Sequence, residues 1–257
     1  MIKAVLFDIG GTIHTQVETD ESRRDFSTAC LALLNQRGLL LGEDPEALVA
    51  NIDRDIEAYK DYAMSKLVEL DPDTIWKDYA LSSYEFDRDK LTGLGEELCF
   101  LLDRRRKEIR KRPHLNEMSQ ALYERGYRLG IISNILSHGF VPAILKEHGV
   151  AQYFEHLVLS SDCGIRKPSP AIFDLCCEQM GLGKDECCYV GDTISRDIIG
   201  ARRSGWRTII QIDNPLSYHR DVGLEDCGCV PDYRIFDLGD IPGILDEIRK
   251  ADEAAGV

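Results

Sequence analysis

The chain has 257 residues, of which 44% are hydrophobic and 30% are charged, a composition that is ordinary for a globular protein. Its formal net charge of −14 argues against a general nucleic-acid binder, because such proteins present a basic face. The sequence shows no signal-like segment and no run of eighteen apolar residues, so we expect a cytoplasmic protein without membrane contact.

The first predicted element is a buried strand over residues 2–7, a short apolar run with β-branched members. Asp8 follows this strand, and Gly10 and Gly11 come shortly after it. Ligands of open α/β sheets bind beyond the carboxyl ends of the strands, so Asp8 is a candidate nucleophile or metal ligand. The two glycines would let backbone amides approach a phosphate closely.

Residues 15–111 show helical periodicity and no convincing strand. We predict four helices there, over residues 20–34, 45–59, 73–84 and 95–111. A run of helices directly after a first strand is typical of an insertion over the sheet edge. The last helix carries the most basic stretch of the chain, residues 104–112, which is either a solvated helix face or a source of attraction for an anionic substrate.

Strands and helices alternate from residue 115 onward. The predicted helices span residues 115–125, 141–148, 170–180, 198–204 and 241–251, and the predicted strands span residues 127–134, 156–159, 187–192, 206–211 and 233–235. This alternation predicts an α/β fold, a parallel sheet with helices on both faces. Residues 213–232 lack a clear pattern, and we predict a long loop or peripheral element there.

Polar residues mark the ends of three further strands. Ser133 and Asn134 end the second strand, where a hydroxyl and free backbone amides can bind a phosphoryl oxygen. Lys167 lies in the loop after the third strand, next to two prolines that fix the backbone, and is a candidate counter-charge. Asp192 ends the fourth strand and Asp197 follows closely, so both could reach one cation such as Mg²⁺.

Nine cysteines are present, and in a cytosolic chain we expect them to be reduced thiols. Cys227 and Cys229 form the only closely spaced pair that suggests a metal or redox role. The pair lacks a second pair at zinc-finger spacing, which favours plain thiols.

Together the four polar stretches resemble the motifs of the haloacid dehalogenase-like hydrolase superfamily. They are residues 8–12, 131–134, 164–170 and 190–197, in the order and spacing of that family. The resemblance implies a Rossmann-like core formed by residues 1–14 and 112–257. It also implies that residues 15–111 form a helical cap domain of the first-position (C1) type.

The resemblance further implies a Mg²⁺-dependent phosphatase that acts on a small phosphorylated metabolite, a phosphate monoester. Asp8 would be the nucleophile that forms an aspartyl-phosphate. Ser133 and Lys167 would hold the phosphoryl oxygens and neutralise charge, and Gly11 and Asn134 would join them in binding substrate. A cation and a lysine are needed because a carboxylate is repelled by a dianionic phosphate.

The same resemblance implies the ligands of the metal. Mg²⁺ would be bound by Asp8, by the backbone carbonyl of Gly10 and by Asp192. Asp197 would support the metal shell. Hard oxygen donors of this kind are the ligands that Mg²⁺ prefers in proteins.

Gly10 is the one departure from the family pattern. Family phosphatases usually have a second aspartate at this position, which serves as general acid and base, and such catalysis is worth about 10²–10⁴-fold in rate. The protein could be a slow phosphatase or one that uses good leaving groups. Another group, His14 or a water, could stand in for the acid. Alternatively, hydrolysis has been lost and the chain is a phospholigand-binding or regulatory protein.

Two other branches of the superfamily are rival interpretations. The dehalogenase branch attacks carbon without a metal and usually has an aromatic residue at the position of Gly10. The pair Asp192 and Asp197 argues against it. The phosphonatase branch uses a lysine of the cap as a Schiff base. Lys60 and Lys66 are available for that role, but neither lies in a recognisable context.

Overall fold

The computed structural model describes residues 1–42, 44–224 and 227–256. Within these ranges the strands are β1 (Ala4–Phe7), β2 (His14–Val17), β3 (Glu108–Lys111), β4 (Arg128–Ser133), β5 (Phe154–Leu159), β6 (Cys187–Gly191), β7 (Thr208–Ile212) and β8 (Tyr233–Ile235). The helices are α1 (Asp20–Gln36), α2 (Pro45–Lys66), α3 (Pro72–Thr74), α4 (Gly95–Arg105), α5 (Leu115–Glu124), α6 (Phe140–Glu147), α7 (Ser160–Cys163), α8 (Pro170–Met180), α9 (Ile199–Ser204) and α10 (Ile241–Ala255). Short π-helical segments lie at Ile75–Ala80 and Ile194–Ile198. No helix in the described ranges is both long and apolar enough to cross a membrane.

Six strands form one parallel sheet in the order β5-β4-β1-β6-β7-β8, with β1 and β6 at its centre. Val5 and Phe7 of β1 pack into a hydrophobic core on one face, and Ala4 and Leu6 pack into a second core on the other. Both faces are buried because successive side chains of a strand point to opposite sides and helices cover each side. The predicted α/β fold is confirmed.

Helices α1, α2 and α4 form a helical insert between β2 and β3, as the periodicity predicts. The insert has its own hydrophobic core, which includes Phe26, Tyr59 and Trp76. Helix α2 begins at Pro45 because the preceding Asp44 accepts hydrogen bonds from the next two free backbone N–H groups. Of the predicted loop 213–232, residues 225–226 lie outside the described residues.

The prediction of a helix over residues 95–111 is wrong in its last third. Helix α4 ends at Arg105, and the chain continues as β3, which pairs antiparallel with β2. The expectation that residues 15–111 contain no strand is wrong for the same reason. The chain leaves the helix at Arg106, whose buried guanidinium is hydrogen-bonded to Asp53 of α2. The extended residues that follow then satisfy backbone groups of β2.

The basic stretch is neither a continuous helix face nor uniformly solvated. Arg104 and Arg105 form exposed ion pairs with acidic residues of neighbouring helices, at 2.9 and 3.0 Å. Arg112 donates a hydrogen bond of 2.7 Å to the carbonyl of Gly11, next to the first polar stretch. Lys107 makes no hydrogen bond or ion pair with any residue that the structure describes.

The cysteines are all free thiols in the described structure, as expected. Cys177 and Cys187 are buried with their sulfur atoms 3.9 Å apart, well beyond the ~2.05 Å of a disulfide bond. Cys227 is exposed and Cys229 is half-buried, and their thiols are not joined.

A buried ion pair anchors the helical insert to the loop that carries Lys167. The carboxylate of Glu69, in the insert, accepts hydrogen bonds from Arg166, from the Tyr59 hydroxyl and from Ser160, the last at 2.7 Å. The side chains of Glu69 and Arg166 are 0% and 5% exposed. The backbone N–H of Glu69 also donates to the carbonyl of Gly164 at 2.9 Å. The insert and this loop are therefore held together by both side chains and backbone.

Arg166→Met should destabilise the protein by about 3–5 kcal/mol, because it leaves the buried carboxylate of Glu69 without its counter-charge. The matched double variant Glu69→Leu/Arg166→Met removes both charges and should recover most of that loss. Urea unfolding of the native protein and the two variants measures the difference. Equal destabilisation of the single and double variants would show that packing, and not the unpaired charge, dominates.

Candidate active site

Three carboxylates meet at the carboxyl ends of the two central strands. Asp8 follows β1, Asp192 follows β6, and Asp197 lies in the π-helical segment after β6. All three are buried, and each offers an oxygen atom within 4.8 Å of the others. Three hard oxygen donors so close together fit a small divalent cation and would otherwise repel one another. The structure thus brings together these three predicted residues.

Lys167 lies among these carboxylates and is 1% exposed. Its ammonium donates hydrogen bonds of 2.7 Å to Asp8 Oδ1 and 2.7 Å to Asp197 Oδ1. A third hydrogen bond, of 2.8 Å, goes to the hydroxyl of Tyr189, which itself donates to Asp197 Oδ1 at 2.9 Å. The lysine therefore uses all three of its donors inside the site.

Burial and ion pairing have opposite effects on the pKa values of the three carboxylates. Burial raises the pKa of Asp8, and the charge of Lys167 offsets this only in part. Burial also opposes ionisation of Asp197, but Lys167 and hydrogen bonds from Thr193 outweigh it and lower the pKa of Asp197. Burial, with the charges of Asp197 and Asp8, raises the pKa of Asp192 to about 7. Asp192 is the one carboxylate of the three to which Lys167 does not donate a hydrogen bond.

The other predicted site residues lie around Lys167 and Asp8. The hydroxyl of Ser133 donates to Asp8 Oδ1 at 3.0 Å. The Asn134 side chain forms two hydrogen bonds, of 2.8 and 3.0 Å, with the backbone of Lys167 and so holds its loop against the end of β4. The backbone N–H of Gly11 donates to the carbonyl of His14 at 2.7 Å. Asn134 and Gly11 thus have protein partners, and their predicted contacts with substrate stay predictions.

Two functional positions were missed by reasoning from the sequence. Tyr189 could have been noticed only because it is an aromatic residue with a hydroxyl group in a strand whose other side chains are apolar or thiols. Asn214 donates a hydrogen bond of 2.7 Å to Asp192 Oδ2. It lies in the unpatterned stretch 213–232, and no local pattern connects it to a carboxylate 22 residues away.

The space beside Gly10 is open. A Cβ atom at this position would meet nothing nearer than the Gln16 side-chain oxygen, at 3.9 Å. His14, the other residue considered for the missing acid, is buried against His148 and Phe140. Burial, with the charge of His148, lowers the pKa of His14 to about 3, so the ring is neutral near pH 7. His14 therefore does not fit the role of a general acid.

The chain belongs to the haloacid dehalogenase-like hydrolases, because the model of that family matches residues 2–205. The match spans all four polar stretches and the helical insert. This membership and the geometry agree on the class of protein, a hydrolase of the haloacid dehalogenase superfamily.

Particular relatives are similar to this chain at low identity. The glyceraldehyde 3-phosphate phosphatase of Methanopyrus kandleri is 24% identical over 260 residues, which cover 97% of this chain and 100% of the relative. The crystal structure of a phosphatase of this superfamily from Thermococcus onnurineus is 26% identical, with a TM-score of 0.59 and coverage of 95% and 98%. A 2-haloacid dehalogenase from Pseudomonas syringae has a TM-score of 0.64 at 24% identity, covering 96% and 99%, which shows a shared fold alone.

Gly11→Ala should damage the carboxylate site directly. The backbone of Gly11 has φ +93°, and a Cβ there would lie 2.0 Å from Asp192 Oδ2 and 2.6 Å from the Asn214 amide. Gly126→Ala is the matched control, because Gly126 has φ +83° but no atom within 4 Å of the added Cβ. The control should lose only the ~1–2 kcal/mol cost of the left-handed backbone, and Gly11→Ala should lose more. Equal losses on urea unfolding would contradict the close approach of Gly11 to Asp192.

Proposed function

We propose that this protein is a Mg²⁺-dependent phosphatase that hydrolyses a small phosphate monoester, with Asp8 as the nucleophile. The observation that supports this most is the ammonium of Lys167, buried between the carboxylates of Asp8 and Asp197. A phosphate dianion is repelled by a bare carboxylate, and a fixed ammonium beside the nucleophile reduces that repulsion. Similarity to phosphatases of the superfamily supports the same reaction class.

The residues present fit the metal. Asp8, Asp192 and the backbone carbonyl of Gly10 would hold Mg²⁺, and Asp197 would support them. When bound, the cation supplies positive charge that polarises the phosphoryl oxygens. Burial, with the charges of Asp197 and Asp8, raises the pKa of Asp192, and a cation beside Asp192 would favour its charged form, which supports this assignment.

The chemistry of the chain's own residues follows from their contacts. Ser133 and Lys167 both donate to Oδ1 of Asp8, which fixes the orientation of the carboxylate. Asp8 would form a bond to phosphorus while the ester oxygen leaves with the bonding electrons and takes a proton from water. Water would then cleave the aspartyl-phosphate and regenerate Asp8. We also propose that residues 15–111 act as a cap that limits access of water to this site.

Turnover of an activated aryl phosphate tests the proposal. The native protein should turn over 4-nitrophenyl phosphate only with Mg²⁺, and Asp8→Asn should lose at least ~10³-fold in kcat because the nucleophile is gone. Asp78→Asn, an exposed acid of the helical insert, is the matched control and should be unaffected. No turnover by the native protein would favour the alternative of a phospholigand-binding or regulatory protein.

Gly10→Asp should restore the missing acid, because an added Cβ at Gly10 meets no atom nearer than 3.9 Å. We expect kcat for an unactivated alkyl phosphate to rise by about 10²-fold, which is the low end of the rate gain that general acid catalysis usually gives. Turnover of 4-nitrophenyl phosphate should change little, since its leaving group needs no proton. Gly10→Asn matches the size of aspartate without the acid and should give no gain. Equal behaviour of the two variants would show that protonation of the leaving group is not limiting.

A further inference from the structure

Gln16 lies beside the position at which the chain lacks the acid of the family phosphatases. If a Cβ is added to Gly10, its three nearest atoms are Oε1, Cδ and Nε2 of the Gln16 side chain, at 3.9, 4.0 and 4.0 Å. This Cβ marks the point where the side chain of an aspartate at position 10 would begin. The amide of Gln16 therefore borders the space that the carboxylate of that aspartate would fill.

Paired backbone segments hold Gln16 in this place. An isolated β-bridge between Gly10 and His14 closes the turn after β1, and the N–H of Gly11 donates a hydrogen bond of 2.7 Å to the carbonyl of His14. Gln16 follows two residues later on β2, where it is paired with Ile109 of β3. A side chain carried by a paired strand is positioned more precisely than one on a loop. The backbone thus keeps the amide next to Gly10.

The amide of Gln16 is available to water and to substrate. The residue is half-buried, and its side chain makes no hydrogen bond with any residue that the structure describes. A carboxamide has two donor hydrogens and an acceptor oxygen, which water satisfies where the protein does not. Gln211, a second glutamine near the carboxylates, instead donates a hydrogen bond of 3.2 Å to the carbonyl of Asp192. Gln16 has no such task in holding the fold.

The chemistry of an amide limits what Gln16 can do. A carboxamide does not exchange a proton near neutral pH, so it cannot replace the missing acid directly. It can hold a water by one hydrogen and so leave the second hydrogen for another acceptor. A glutamine that orients a water is a known device of phosphoryl-transfer enzymes. The place of Gln16 beside Gly10 fits this indirect role.

We propose that Gln16 is a positioning residue that holds the water from which the departing ester oxygen takes its proton. This inference rests on the proposed phosphatase function and names the substitute for the acid that is missing at Gly10. As the bond between phosphorus and the ester oxygen breaks, the oxygen keeps the bonding electrons and takes a proton from this water, which becomes hydroxide. Cleavage of the aspartyl-phosphate by a second water later releases a proton that neutralises the hydroxide.

Two aryl phosphates that differ in the acidity of the leaving group test the proposal. With phenyl phosphate, whose leaving group is the weaker acid, Gln16→Met should lower kcat by about 10-fold, as expected for loss of one hydrogen bond that acts in the transition state. With 4-nitrophenyl phosphate, kcat should change little, because that leaving group needs no proton. KM should stay near its native value for both substrates, since Gln16 acts only as the bond breaks.

Thr15→Val is the matched control. Thr15 precedes Gln16 on β2, and its side chain points to the opposite face of the strand. This variant removes a polar group from the same strand and should leave kcat for both substrates unchanged. If Gln16→Met lowered kcat equally for the two substrates, Gln16 would have only a structural role, and the inference would be overturned while the phosphatase remained. No turnover of either substrate by the native protein would refute the phosphatase and this role together.

The Gly10→Asp variant provides a second readout. An acid at position 10 makes the positioned water unnecessary, so adding Gln16→Met to this variant should cost little with phenyl phosphate. The effects of the two substitutions would then be non-additive, which is the mark of a shared task. If Gly10→Asp is faster than the native protein and Gln16→Met still costs about 10-fold in it, the inference is wrong.

Discussion

The ammonium of Lys167, buried between two carboxylates, is the interaction on which the rest of the site depends. Three buried acids and one lysine leave a formal charge of −2 in a place with little water, which is a costly arrangement for the protein alone. Lys167 donates to Asp8 and Asp197 but not to Asp192, and burial with the charges of Asp197 and Asp8 raises the pKa of Asp192 to about 7. A divalent cation beside Asp192 would bring the charge to zero.

The fold supplies the precision that this charge balance requires. Strands β1 and β6 are paired in parallel at the centre of the sheet. Asp8 and Asp192 follow the carboxyl ends of these two strands and therefore lie next to each other. Lys167 comes from a less regular loop, and two sets of contacts hold that loop. Asn134 binds its backbone, and the preceding Arg166 is paired with Glu69 of the helical insert. The position of the lysine is thus tied to the position of the insert.

The parts that could be predicted from the sequence are those encoded by local patterns. Apolar runs ending in Asp8, Ser133 and Asp192 predict strands with polar ends, and the parallel sheet brings those ends together. The pairing of β2 with β3 was missed because both strands are short, polar and about ninety residues apart, so only the folded chain shows it. The contact of Asn214 with Asp192 is hidden for the same reason. The burial of His14, which lowers its pKa and makes it a poor acid, is likewise not encoded in a local sequence pattern.

Gly10 has a physical consequence for the way in which a substrate must be bound. Without an acid at position 10, the barrier for an unactivated leaving group must be lowered by other interactions. Binding energy from a distant part of a substrate can be used for this, provided that the contact is stronger in the transition state than in the ground state. Contacts between the helical insert and a part of the substrate distant from the ester would orient the phosphate toward Asp8 and exclude water. A site lacking its usual acid therefore gains most from recognising the far end of its substrate.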